Sequence, residues 1–92
     1  MTDEEWRAVE QEIMADPRAG AVMRGSGGIR KLRAAKTDRG KRGGARVLYL
    51  YMERRQSVYV LLAYAKNVQE DVSPDQREQL RRMAVILKGD DQ

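Results

Sequence analysis

Two runs of strand-forming residues, Ala45 to Glu53 and Ser57 to Lys66, lie three residues apart, and this pairing limits the fold more than any other feature. Both are rich in Val, Leu and Tyr, the residues that fit a pleated, half-buried surface. Only Arg54, Arg55 and Gln56 separate them, so the simplest arrangement is an antiparallel hairpin with a tight polar turn. A third strand is expected over Ile29 to Ala34, joined to the hairpin by a basic connection from Lys36 to Gly44.

The flanks read as helices. Thr2 and Glu5 match a capping box, and Trp6, Val9 and Ile13 recur at helical spacing with Met14 beside them. This predicts a helix over about 3–15, ended by Pro17, because the residue before a proline avoids helical geometry. Arg18 to Gly20 then turns the chain, Ala21 to Met23 is expected to add a short helical turn, and Gly25 to Gly28 forms a loop. Ser73, Pro74 and Gln76 open a last helix as N-cap, first helical residue and capping-box partner. Its apolar stripe is expected to be Leu80, Met83, Ala84 and Leu87, with 88–92 a frayed tail. The whole is one α+β domain over 1–92, a small antiparallel sheet of about three strands flanked by an N-terminal and a C-terminal helix.

Charge is sorted along the chain. Residues 1–16 hold six acids and one base, whereas Arg24 to Arg46 holds nine Lys or Arg and one acid, Asp38. Residues 67–92 return to six acids and four bases. The net charge of +4 therefore understates a focused basic surface of the kind that meets phosphates. Most of the glycines sit in the same segment, but they fit no nucleotide motif. Gly25 and Gly27 lack the third glycine of a dinucleotide fingerprint, and no P-loop pattern exists.

What is missing narrows the chemistry further. The chain has no His and no Cys, which excludes histidine-based nucleophile triads and the common zinc sites. Asp90 and Asp91 alone make a weak metal motif, so no metal or other cofactor is expected. No apolar run approaches 18 residues, and the start is acidic rather than signal-like, so a cytoplasmic protein without a membrane partner is expected.

Strand alternation distributes the basic residues. Lys31 and Arg33 point one way, Arg30 and Leu32 the other; Arg46 goes with Leu48, and Tyr64 and Lys66 go with Leu62. A suitable register brings Lys31, Arg33, Arg46, Tyr64 and Lys66 together near one end of the sheet. Tyr49, Tyr51, Tyr59 and Trp6 read instead as core or cross-strand packing residues. Lys, Arg and Tyr can cut RNA, although a cluster of cations serves simple binding as well as cleavage. A ribose 2′-hydroxyl attacks the adjacent phosphorus, cations stabilise the charge that develops, and an acid protonates the leaving 5′-oxygen. Arginine offers a fixed fork of donors to the phosphate, and general acid–base help is worth on the order of 10²–10⁴-fold.

The blocks Gly25 to Arg33, Gly40 to Tyr49, Leu61 to Asn67 and Glu70 to Ser73 resemble, in order and spacing, the HigB branch of the RelE/ParE toxin superfamily, with the likeness running from about Thr2 to Arg82. The resemblance implies a toxin of a type II toxin–antitoxin system. Such a toxin is a metal-independent endoribonuclease that cuts mRNA in the ribosomal A site, neutralised by a cognate antitoxin, here expected to be of helix-turn-helix type. Arg46 matches an arginine that contacts the scissile phosphate, and Lys31 a lysine assigned to proton transfer or charge stabilisation. Arg33 and Lys66 fall on basic positions of their strands. Arg30, Lys36, Arg39, Lys41 and Arg42 form the expected RNA- and ribosome-docking set.

The chain departs from the RelE pattern in two side chains and at its start. Asn67 stands where RelE carries a further arginine, and Val72, Ser73 and Pro74 stand where it has a catalytic tyrosine, leaving Tyr64 or a lysine for that role. The strand that precedes the first helix in many HigB members is not seen; either an open sheet edge takes its place or the natural start is a different one. Two other functions fit less of the pattern. A ParE-like gyrase inhibitor needs no phosphate-cleaving cluster. A catalytically weak RNA- or antitoxin-binding remnant would follow from the missing tyrosine and the short start.

Overall fold

Helix α1, Asp3–Ala15, turns its Val9 and Ile13 inward and leaves its acids to solvent. The computed structural model describes residues 3–33, 45–65 and 71–89; Thr2, the expected capping partner of Glu5, lies outside them. Asp3, Glu4 and Glu5 fill the first turn of α1, where the positive end of the helix dipole favours them. Trp6 packs partly buried beside Val9, but Met14 faces water at 82% exposure. The helix stops before Pro17, and the reversal is fastened by the Ala19 N–H on the Asp16 carbonyl at 2.9 Å and the Arg18 N–H on Asp16 Oδ1 at 3.1 Å.

Four strands follow in the spatial order β1-β2-β3-β4, all antiparallel: β1 Ala21–Val22, β2 Arg30–Arg33, β3 Ala45–Met52 and β4 Ser57–Ala65. The hairpin between β3 and β4 stands as expected, with Gln56 at φ 50 donating its N–H to the Glu53 carbonyl at 3.2 Å. A β-bulge interrupts the ladder. Leu48 pairs with Leu62 and Tyr49 with Val60, which leaves Leu61 as the extra residue. Tyr59 and Leu62, an odd number of residues apart, therefore both pack on the same core.

The expected helical turn at Ala21 to Met23 is instead strand β1 and the start of a turn. Three glycines explain the difference. Gly25, Gly27 and Gly28 adopt φ values of 72, 83 and 104, a left-handed course that reverses the chain and brings Val22 opposite Arg30. Ser26 locks the reversal from inside. It is 1% exposed, donates to the Met23 carbonyl at 2.7 Å and accepts from the Ile29 N–H at 3.0 Å.

Helices cover both faces of the sheet. On one face Val9 and Ile13 of α1 meet Leu32, Ala45, Val47 and Tyr49. On the other, Leu80 and Ala84 of α2, Pro74–Gly89, meet Leu48, Leu50, Met52 and Tyr64, with Ile29 and Val72 between them. Strand β3 is buried on both sides, which is why Val47, Leu48, Tyr49 and Leu50 form an unbroken apolar run. Each such side chain contributes about 1.5–3 kcal/mol by leaving water.

The capping box of α2 is formed. The Gln76 N–H donates to Ser73 Oγ at 3.1 Å, and the Ser73 N–H donates to Gln76 Oε1 at 3.0 Å. Two expectations for α2 need correction. The helix continues through Lys88 and Gly89, and only 90–92 of the expected tail lie outside the described residues. Met83 is 43% exposed at the rim of the stripe, so Leu80, Ala84 and Leu87 carry the packing. No helix among the described residues is long and apolar enough to cross a membrane.

Candidate active site

Register decides which polar side chains meet. Arg33 of β2 pairs with Arg46 of β3, and Arg46 pairs in turn with Tyr64 of β4. Directly opposed residues share a face with their Cβ atoms about 4.5–5.5 Å apart. Arg33, Arg46 and Tyr64 thus form one row across three strands. Lys31, two residues before Arg33, lies on the same face and pairs with Leu48. This is the α2 face of the sheet, at its Ala45 end.

The row sets two arginines directly opposite one another. Like charges in such positions repel in a sheet, and an anion bound between Arg33 and Arg46 would relieve that repulsion. Burial grades across the row: Arg33 is exposed, Lys31 and Arg46 are half-buried, and Tyr64 is 8% exposed. Among the described residues the Tyr64 hydroxyl is buried without a hydrogen-bond partner. Burial pushes its titration above the usual tyrosine range; the Asp71 carboxylate adds to the rise and the Arg46 guanidinium opposes it. Tyr64 therefore holds its proton at neutral pH and is available as a donor. Asp71 sits between two cations, with Lys31 Nζ at 3.8 Å and Arg77 at 3.6 Å.

The model of the RelE toxin of the RelE/RelB toxin–antitoxin system matches residues 7–92. The chain belongs to the RelE toxin family. Its role is accordingly that of a toxin, with a cognate antitoxin as partner.

Against the residues that the RelE resemblance singles out, the sheet gathers Lys31, Arg33, Arg46 and Tyr64 on one face. Lys66, Lys36, Arg39, Lys41 and Arg42 lie outside the described residues. Arg30 is on the opposite face, where its Nη1 donates to the carbonyls of Gly20 at 2.8 Å and Arg18 at 3.1 Å. That guanidinium braces the turn after α1, apart from the cationic row. Nor does the Gly25–Gly28 turn join the row: a Cβ on Gly27 would stand 3.3 Å from Ala84 Cβ, so the turn is packed against α2.

Asp71 and Arg77 were not among the expected site residues, although Asp71 lies in the Glu70 to Ser73 block. The charge of each was visible, but nothing local to either indicates that the segment before α2 folds back over Lys31. An apolar groove of about 630 Å³ lies elsewhere, lined by Ile13, Met14, Tyr51, Val58 and Val60 among others, and contains none of the cations of the row.

Proposed function

We propose that this RelE-family toxin is a ribosome-dependent, metal-independent endoribonuclease of the HigB branch, cutting mRNA in the A site and so stopping translation in the cytoplasm. The observation that carries this reading is the row of Arg33, Arg46 and Tyr64 with Lys31 beside it, two guanidinium groups and a protonated phenol on one face of a rigid sheet. Arg46, supported by Arg33, binds the non-bridging oxygens of the scissile phosphate. Lys31, a cation beside Asp71, stabilises the charge that develops on the phosphate oxygens, and the proton of the attacking 2′-hydroxyl passes to water. Tyr64 protonates the leaving 5′-oxygen, in place of the tyrosine that RelE carries near its C-terminus. The O2′–P bond forms as the P–O5′ bond breaks, leaving a 2′,3′-cyclic phosphate and a 5′-hydroxyl.

The fold supports this assignment energetically. Donors fixed on strands need no reorganisation as charge develops, and removing one such donor typically costs about 10²–10³-fold in rate. Lys36, Arg39, Lys41 and Arg42 dock on ribosomal RNA in this reading, and Lys66 is a further catalytic cation of the proposal. The antitoxin is of helix-turn-helix type.

The test is expression in growing cells with mapping of mRNA 5′ ends by primer extension. Codon-associated cuts that disappear with Arg46→Ala, at unchanged protein level, are the expected result. Growth arrest with intact mRNA and altered DNA supercoiling would replace this reading with gyrase inhibition.

A further inference from the structure

Asp71 is held from both sides in the chain. Its Oδ1 accepts the Val72 N–H at 2.8 Å, and Val72 is 7% exposed in the α2-face core. One residue further on, Ser73 begins the capping box of α2. From this fixed position the carboxylate faces Lys31 Nζ at 3.8 Å through Oδ1 and Arg77 at 3.6 Å through Oδ2. Arg77 is delivered by the first turn of α2, its N–H donating to the Ser73 carbonyl at 2.9 Å. These side chains are 34–45% exposed. Ion pairs at such exposure add about 0–1 kcal/mol at most, so stability gives little reason to draw a cation of α2 towards those of the sheet.

We propose that Asp71 is a positioning residue of the cationic site, its carboxylate holding Lys31 of β2 and Arg77 of α2 together so that Arg77 joins the groups that meet the RNA phosphate. This rests on the endoribonuclease reading. Asp71 also faces Tyr64 electrostatically. Among the described residues, the charged groups near that phenol are Arg46 on β3, Arg33 and Lys31 on β2, and Asp71 with Arg77 at the entry to α2. The Asp71 carboxylate favours the protonated phenol and Arg46 the phenolate. Removing the carboxylate takes away a group that raises the Tyr64 titration and leaves Arg46 lowering it, so the titration moves to lower pH.

The test uses the full chain with Asp71→Asn, which keeps an oxygen for the Val72 N–H and so preserves the turn. Tyrosines carrying ¹³C at Cζ are titrated by NMR in the free toxin, with Tyr64 assigned from Tyr64→Phe. Cleavage is followed separately on ribosomes programmed with mRNA. The expected results are a Tyr64 titration displaced to lower pH and a kcat lowered roughly 10- to 100-fold, the scale of a misplaced catalytic group, with partial recovery in Asp71→Glu. An unmoved Tyr64 titration, or a rate equal to or above that of the parent, overturns the proposal. Should the parent toxin cut no mRNA at all, the endoribonuclease reading fails, and the NMR titration still decides whether Asp71 acts on Tyr64.

Discussion

Tyr49 and Tyr64 lie on opposite faces of one sheet, and the two faces treat the same side chain in opposite ways. On the α1 face, Tyr49 is fully buried; its hydroxyl donates to the Pro17 carbonyl at 2.7 Å and accepts the Gly20 N–H at 2.9 Å. Gly20 is needed there, since a Cβ would fall 2.9 Å from the Tyr49 ring. On the α2 face, Tyr64 is almost as buried, yet its hydroxyl has no partner among the described residues and lies between the fields of Arg46 and Asp71. A buried polar group without a partner costs folding free energy. The first tyrosine fastens the fold. The second has no such partner among the described residues and stands in the row with Arg33 and Arg46, the row proposed above to meet the phosphate.

The contrast can be broken by removing each hydroxyl in turn. Tyr49→Phe strands the Gly20 N–H and the Pro17 carbonyl and is expected to lower unfolding stability by about 1–3 kcal/mol in urea. Tyr64→Phe removes a hydroxyl that has no partner among the described residues, so stability is expected to stay level or rise slightly. Equal losses from the two variants would erase the distinction between the faces.

A smaller effect belongs to the outer side of α2, where charges serve neither face. Arg81 hydrogen-bonds Glu78 through Nε at 2.9 Å and Nη2 at 2.8 Å, and Arg82 adds a bond at 3.1 Å. They hold the Glu78 carboxyl down at about 2, from an ordinary 4.5. A folded-state value below the unfolded one gives stabilisation that is present above about pH 4.5 and is lost as pH falls towards 2. The Tm difference between the parent and Glu78→Gln is expected to be small, as for other exposed pairs, and to vanish across that window. A difference that persists below pH 2 would mean that the arginines act on another group.

Much of this was legible in the sequence, and what was not has physical causes. The helices announced themselves through caps and 3.6-residue spacing, as at Ser73 and Gln76. Alternation alone put Lys31 with Arg33 on one face and Arg30 on the other. Register, however, is a matter between strands. Nothing local to Arg33, Arg46 or Tyr64 says that they stand in one row, and nothing near Leu61 announces a bulge.

The Gly25 to Gly28 loop stands as expected, with Ser26 and the left-handed glycines turning the chain under α2. The residues before it were misread, and strand β1 was missed. Two residues, Ala21 and Val22, carry no periodicity of their own and become a strand only because that turn returns β2 beside them.

The most direct test is single-turnover cleavage of mRNA on programmed ribosomes by Tyr64→Phe and Tyr49→Phe, each normalised to folded protein. If Tyr64 is the proton donor of the site, its variant loses about 10²–10⁴-fold in rate, while Tyr49→Phe cuts at the parental rate per folded molecule. Full activity in Tyr64→Phe would contradict the account.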